Sequence, residues 1–117
     1  MMSDVLISLG SNYLPAVHMQ WASERLALLL TDVRYSRKRW TEDIHQRGIW
    51  YMNRLAIAKT TMSIEELERA LKAIEAETQR SREHVTIDLD LMQYDSQRYH
   101  LKDWSRSYIQ LLLPDIL

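Results

Sequence analysis

Only two glycines and two prolines interrupt the 117 residues, so regular elements must follow one another closely with short connections. Val5 to Leu9 is a compact, branched apolar run closed by Gly10, Ser11 and Asn12, which suits a buried strand entering a tight turn. Pro15 then favours a helix start, and Met19, Ala22, Leu26 and Leu29 fall on one helical face that runs to about Leu30. Val33 to Thr41 alternates as a strand, with Val33, Tyr35, Arg37 and Arg39 on one side and Arg34, Ser36, Lys38 and Trp40 on the other. So many cations suit an exposed edge. After a polar loop containing Gly48, residues Trp50 to Lys59 read as its hairpin partner, with Tyr51, Asn53, Leu55 and Ile57 sharing one face.

The second helix has the clearest local signature. Ser63 and Glu66 form a capping box, Met62 and Leu67 can act as a hydrophobic staple, and Ile64, Leu67, Leu71 and Ile74 repeat at core spacing. This helix is expected to end near Thr78, and the last long strand to run from Val85 to Tyr94. In the tail, Ser105 is expected to cap a short helix carrying Tyr108, Ile109, Leu112 and Leu113 up to Pro114. Strand, helix, strand, strand, helix, strand is the order of a ferredoxin-like βαββαβ fold of the α+β class, an antiparallel sheet with two helices on one face. The other face is expected to stay free for a site.

The apolar fraction of 46% against 26% charged is that of a globular chain, and its length fits one domain over residues 1–117. A net charge of -1 gives no whole-molecule attraction to nucleic acid or an anionic membrane. The absence of cysteine removes disulfides, thiol catalysis and thiolate metal sites, and with no signal-like or spanning segment the expected location is the cytoplasm. Arg34, Arg37, Lys38, Arg39 and Trp40 raise the alternative of a nucleic-acid module. No pattern of stacking aromatics accompanies them, and a basic edge that avoids strand pairing accounts for the cluster. An interaction module that pairs through its exposed sheet is a further class.

The chemistry concentrates in Thr86-Ile87-Asp88-Leu89-Asp90-Leu91. Alternation sends Ile87, Leu89 and Leu91 to one side and both carboxylates to the other, about 7 Å apart along the strand. Two such carboxylates suit a hard cation, and Mg²⁺ completes its shell with water and phosphate oxygens. The alternative is a merely solvated strand face, but aspartate is depleted in strands and like charges on one face repel unless neutralised. Arg80, Arg82 and His84 precede the strand, and guanidinium groups grip phosphate well; a solvated loop is the other reading. Glu75 ends the helix stripe, where it can orient an arginine or a ribose or simply face solvent. His18, His45 and His100 lack the spacing of a zinc site.

Leu6-Ile7-Ser8-Leu9-Gly10-Ser11-Asn12, Tyr51-Met52-Asn53, Ile74-Glu75 followed by Arg80 and Arg82, and Thr86-Ile87-Asp88-Leu89-Asp90-Leu91-Met92 occur in that order. Together they resemble the 6-hydroxymethyl-7,8-dihydropterin pyrophosphokinase family. The resemblance implies a ferredoxin-like enzyme of folate biosynthesis with ATP and a reduced pterin as its partners. It would transfer the β,γ-diphosphate of ATP to the pterin hydroxymethyl group and release AMP. It implies two Mg²⁺ ions on Asp88 and Asp90, a pterin pocket of Thr41, Tyr51, Asn53 and Tyr108, nucleotide contacts from Glu75, Arg80, Arg82 and Arg106, and a catalytic role for Arg80 and Arg82. The chain departs from the family pattern before the last strand, where only Glu83, His84 and Val85 separate Arg82 from Thr86. Two readings follow, an enzyme with a shortened loop and a relative that binds nucleotide or pterin without turnover.

Overall fold

The computed structural model describes residues 1–43, 48–79, 81 and 83–117. Its elements are β1 (Ser3–Ser11), α1 (Pro15–Leu29), β2 (Thr31–Tyr35), β3 (Arg39–Glu42), β4 (Trp50–Thr60), α2 (Ile64–Ala76), β5 (Asp88–Tyr94), β6 (Gln97–Arg98), α3 (Ser107–Leu112) and a 3-10 turn at Leu113–Asp115. The strands form one antiparallel sheet in the order β2-β4-β1-β5-β6, and β3 also pairs with β4. This is the ferredoxin-like α+β architecture expected from the element order.

Local chemistry explains the two long helices. Pro15 opens α1 after Leu14, which takes a left-handed conformation at φ 43. The capping box opens α2: Glu66 N–H donates to Ser63 Oγ at 3.2 Å, and Ser63 N–H donates to Glu66 Oε1 at 3.0 Å. Both helices lie on one sheet face, where Ile7, Leu9 and Leu89 pack with Met19, Leu26, Leu67 and Leu71 in a single core. Full burial of each such side chain stabilises the fold by about 2 kcal/mol.

The opposite face is not wholly free, contrary to expectation. Ile109, Leu112, Ile116 and Trp104 from the C-terminal segment pack over Leu6, Leu55 and Met92 as a second core. The hydrophobic stripe of α3 demands this, because an amphipathic helix must bury its apolar side against something. Ser105 does not cap that helix. Arg106 occupies the N-cap position without a side-chain cap, and the Ser105 hydroxyl donates to Lys102 O at 3.4 Å.

The expected strand over residues 33–41 is broken into β2 and β3. Ser36 is the cause, because its buried hydroxyl competes for backbone partners. Its Oγ accepts from Leu55 N–H at 2.8 Å and donates to Arg37 O at 2.8 Å, while Arg37 N–H turns away to Asp115 Oδ2 at 2.9 Å. Between Tyr35 opposite Ala56 and Arg39 opposite Asn53, four residues on one side advance against three on the other. Such a bulge exchanges faces. Val33 and Tyr35 therefore pack with the helices, whereas Arg39 stands opposite Asn53 and Thr41 opposite Tyr51. Strand β5 also begins later than expected, at Asp88, because Val85 is engaged with Asn12.

Candidate active site

Strand register fixes the floor of the site. Gly10 lies opposite Asn53 on β4 and Asp88 on β5, and Ser8 lies opposite Leu55 and Asp90. Opposed residues share a face, so these side chains converge on the half of the second face that α3 leaves uncovered. A cleft of about 470 Å³ opens there, lined by Ser8, Gly10, Thr41, Tyr51, Asn53, Asp88, Asp90, Arg106 and Tyr108 among others. A Cβ on Gly10 would lie 3.6 Å from Asn53 Oδ1 and 3.9 Å from a Tyr51 ring carbon. These are ordinary contacts, so glycine serves here to leave a recess rather than to relieve a clash.

Asn53 is nearly buried, and its Nδ2 donates to Thr41 Oγ1 at 2.6 Å. That bond fixes the amide plane and leaves Oδ1 toward Gly10. On the far wall, burial pushes the Tyr108 hydroxyl up from its ordinary pKa, with the Asp103 charge adding to the effect. Arg106 Nε donates to Asp103 Oδ1 at 2.6 Å, which holds the guanidinium at the rim.

The Asp90 carboxyl is pushed up to about 6, first by burial and then by the charge of Asp88. Its Oδ1 is 4.0 Å from His100 Nε2, and His100 and Lys72 pull its pKa the other way. Two hard carboxylates that repel across one cleft fit a divalent cation, which would relieve the repulsion. Among the described residues no group of three or more His, Cys, Asp or Glu forms a self-sufficient metal cage.

Residues 6–117 match the 7,8-dihydro-6-hydroxymethylpterin-pyrophosphokinase family. The chain belongs to it. Comparison with curated proteins gives no match. Membership brings the coarse assignment, a pyrophosphokinase family of folate biosynthesis whose members use ATP with Mg²⁺. Among the described residues, no helix is long and apolar enough to cross a membrane.

Within this pyrophosphokinase-family chain, seven of the residues singled out from the sequence line the one cleft: Thr41, Tyr51, Asn53, Asp88, Asp90, Arg106 and Tyr108. Glu75 lies behind it. Its buried Oε2 accepts from Leu89 N–H at 2.7 Å, at the residue between the two aspartates, and its Oε1 is 3.4 Å from Lys72 Nζ. Strand β6 pairs only with Gln93 and Tyr94, so the Glu75 carboxylate takes the place of a neighbouring strand at Leu89. Arg80 and Arg82 lie outside the described residues.

Sequence reading missed four contributors. Ser8 and Gly10 belong to the cleft, and their small side chains between larger neighbours on β1 were the available signal. Lys72 and His100 line a second cleft of about 890 Å³ between α2 and β5, together with Arg69, Leu89 and Leu91. Asp90 lines both clefts. Nothing in sequence spacing links Lys72 to His100, because only the fold brings them to Asp90. The segment before β5 is tied to the β1–α1 turn. Asn12 N–H donates to Val85 O at 2.9 Å, Val85 N–H donates to Asn12 Oδ1 at 2.7 Å, and the Tyr13 ring stacks on His84 at 4.1 Å.

Proposed function

We propose that this chain transfers the β,γ-diphosphate of ATP to the hydroxymethyl group of 6-hydroxymethyl-7,8-dihydropterin, releasing AMP. The observation that carries the reading is the placement of Asp88 and Asp90 side by side on one strand face, with Asp90 shared between two clefts. One cleft is sized for a bicyclic heterocycle and the other is open enough for a nucleotide. Two Mg²⁺ ions on Asp88 and Asp90 would bind phosphate oxygens and offset the charge of the transfer.

The chain's own groups do the positioning. Asn53, held by Thr41, presents amide hydrogen-bonding edges to the pterin over the Gly10 recess, and Tyr51 and Tyr108 supply aromatic walls. Lys72 and His100 face the phosphates from the nucleotide side of Asp90. Arg80 and Arg82 carry the residue type best suited to the migrating diphosphate, and Arg106 closes the rim. Glu75 acts through β5, fixing the Leu89 amide and with it the separation of the two carboxylates. The hydroxymethyl oxygen attacks the β-phosphorus, the bridging oxygen leaves with AMP, and the hydroxyl proton passes to water. Catalysis then rests on alignment and charge compensation, with no protein base required.

Incubation with Mg-ATP and the pterin, followed by chromatography, tests this reading. Formation of AMP and pterin diphosphate is expected, and Asp88→Ala and Asp90→Ala are expected to lower both by about 10³-fold. Binding of both substrates with no AMP would replace this reading with that of a non-catalytic relative. The cytoplasm is the proposed location, where ATP and reduced pterins meet.

A further inference from the structure

We propose that Asn12 and Tyr13 are positioning residues for the reaction: together they clamp the start of β5 and so hold Asp88 beside Asp90. The inference rests on the functional reading above and adds to it two residues that line neither cleft. Regular pairing of β1 with β5 ends at Gly10 opposite Asp88. One step further, unbroken register would set Asn12 opposite Thr86. Asn12 instead meets Val85, its N–H donating to Val85 O at 2.9 Å and its Oδ1 accepting from Val85 N–H at 2.7 Å. The side-chain carbonyl thus does what a strand carbonyl would do, one residue out of register. Thr86 and Ile87 on one side then face Ser11 alone on the other, the geometry of a β-bulge, which bends a strand and re-aims the side chain next to it. That side chain is Asp88.

A clamp matters most at this end of the strand. Asp88 is the first residue of β5, and the ends of elements open most readily. Like charges on one strand face repel, so an opened end would let Asp88 swing away from Asp90. The bulge is held on two sides. Thr86 and Ile87 are buried, and Thr86 Oγ1 lies 2.5 Å from Thr78 Oγ1, just beyond α2. Toward solvent, the Tyr13 ring stacks on His84 with centroids 4.1 Å apart and planes at 26°. Tyr13 O accepts from Ser11 Oγ at 3.3 Å and lies 2.6 Å from His18 Nδ1. His84 is fixed in turn, since its N–H donates to Ser81 Oγ at 3.1 Å and its carbonyl accepts from Ser81 N–H at 3.1 Å. Both stacked rings are exposed and belong to neither hydrophobic core. Their removal therefore opens no core cavity.

Steady-state kinetics of AMP formation tests the clamp in Asn12→Ala, Asn12→Asp, Tyr13→Ala and Tyr13→Phe. Asn12→Ala should lower kcat by about 10²-fold and Tyr13→Ala by about tenfold, the range expected when a reacting group is misplaced by about 1 Å or less. KM for the pterin should not change. Asn12→Asp keeps the Oδ1 acceptor and Tyr13→Phe keeps the ring, so each should recover most of the rate. Tyr13→Ala, at an exposed position, carries the test if Asn12→Ala is poorly folded. Should the native chain bind both substrates and form no AMP, the functional reading alone falls. Calorimetry with Mg²⁺ and a non-hydrolysable ATP analogue then decides the clamp: affinity should drop about tenfold in Asn12→Ala and return in Asn12→Asp. Alanine variants with unchanged kcat and analogue affinity would overturn the proposal. So would losses shared equally by the conservative variants, an equal loss of pterin affinity, or a native chain that does not bind the analogue.

Discussion

The second face of the sheet carries two surfaces of opposite character built by the same three strands. Where β1, β4 and β5 present Leu6, Leu55 and Met92, the face is sealed by α3, and Ile109 and Leu112 are fully buried. Two residues along β1, Ser8 replaces Leu6, and Gly10 follows it; β4 presents Asn53, and β5 presents Asp90 and Asp88. There the face stays open as a cleft. Backbone geometry is shared, so side-chain volume and charge alone separate the closed half from the open one. The difference teaches that the sealed half supplies packing energy which lets the open half hold two like charges together at a net cost to folding.

Removing a carboxylate should break the comparison most severely from the open side. Asp88→Ala or Asp90→Ala is expected to lower AMP formation by about 10³-fold, roughly 4 kcal/mol of transition-state stabilisation. The urea midpoint of the metal-free chain should not fall, and single-turnover kinetics beside equilibrium unfolding separates the two effects. From the sealed side, Ile109→Ala should cost about 3 kcal/mol of stability through lost burial and a residual cavity. Pterin affinity of the protein that remains folded should be unchanged, as calorimetry would show.

Gly10→Val sharpens the contrast by making the open half resemble the closed one. Added methyl groups would fill the recess, so pterin affinity should drop about tenfold, near 1.4 kcal/mol. Gly10→Ala, the control, should barely move the unfolding midpoint, because the contacts met by a Cβ are ordinary ones.

The smallest effect is a pH dependence. With its carboxyl pushed up to about 6, Asp90 keeps a proton in the folded chain across a range where the unfolded chain has lost it. Folded protein thus binds more protons between about pH 4 and pH 6, and metal-free stability falls as pH rises through that window, then levels. The loss is about 1 kcal/mol once solvent screening is allowed for. Thermal unfolding in chelator should show it in the native chain and not in Asp90→Asn. A native-minus-variant stability that grows with pH would have the wrong sign.

The parts of the fold that depend on local pattern were legible in the sequence. Both long helices, the Ser63–Glu66 box and the shared face of Asp88 and Asp90 rest on neighbours within a few residues. What escaped depends on distant partners. Ser36 breaks the second strand only because Leu55 and Asp115 lie within reach of that segment, and the resulting change of face brings Thr41 into the cleft. Strand β6 is two residues long and leaves no periodic trace. The sealing of half the sheet by α3 required knowing where its apolar stripe lands. Glu75 was expected at the nucleotide, and its bond to the Leu89 amide adds a support of the strand from behind that no local pattern announces.

Manganese in place of magnesium gives the most direct measurement of the central claim. With Mn²⁺ and a non-hydrolysable ATP analogue, paramagnetic broadening of amide signals should centre on Gly10 and on residues 88–90, and vanish when Asp88 and Asp90 are both changed to Asn. Broadening centred elsewhere, or surviving that double change, would contradict the account.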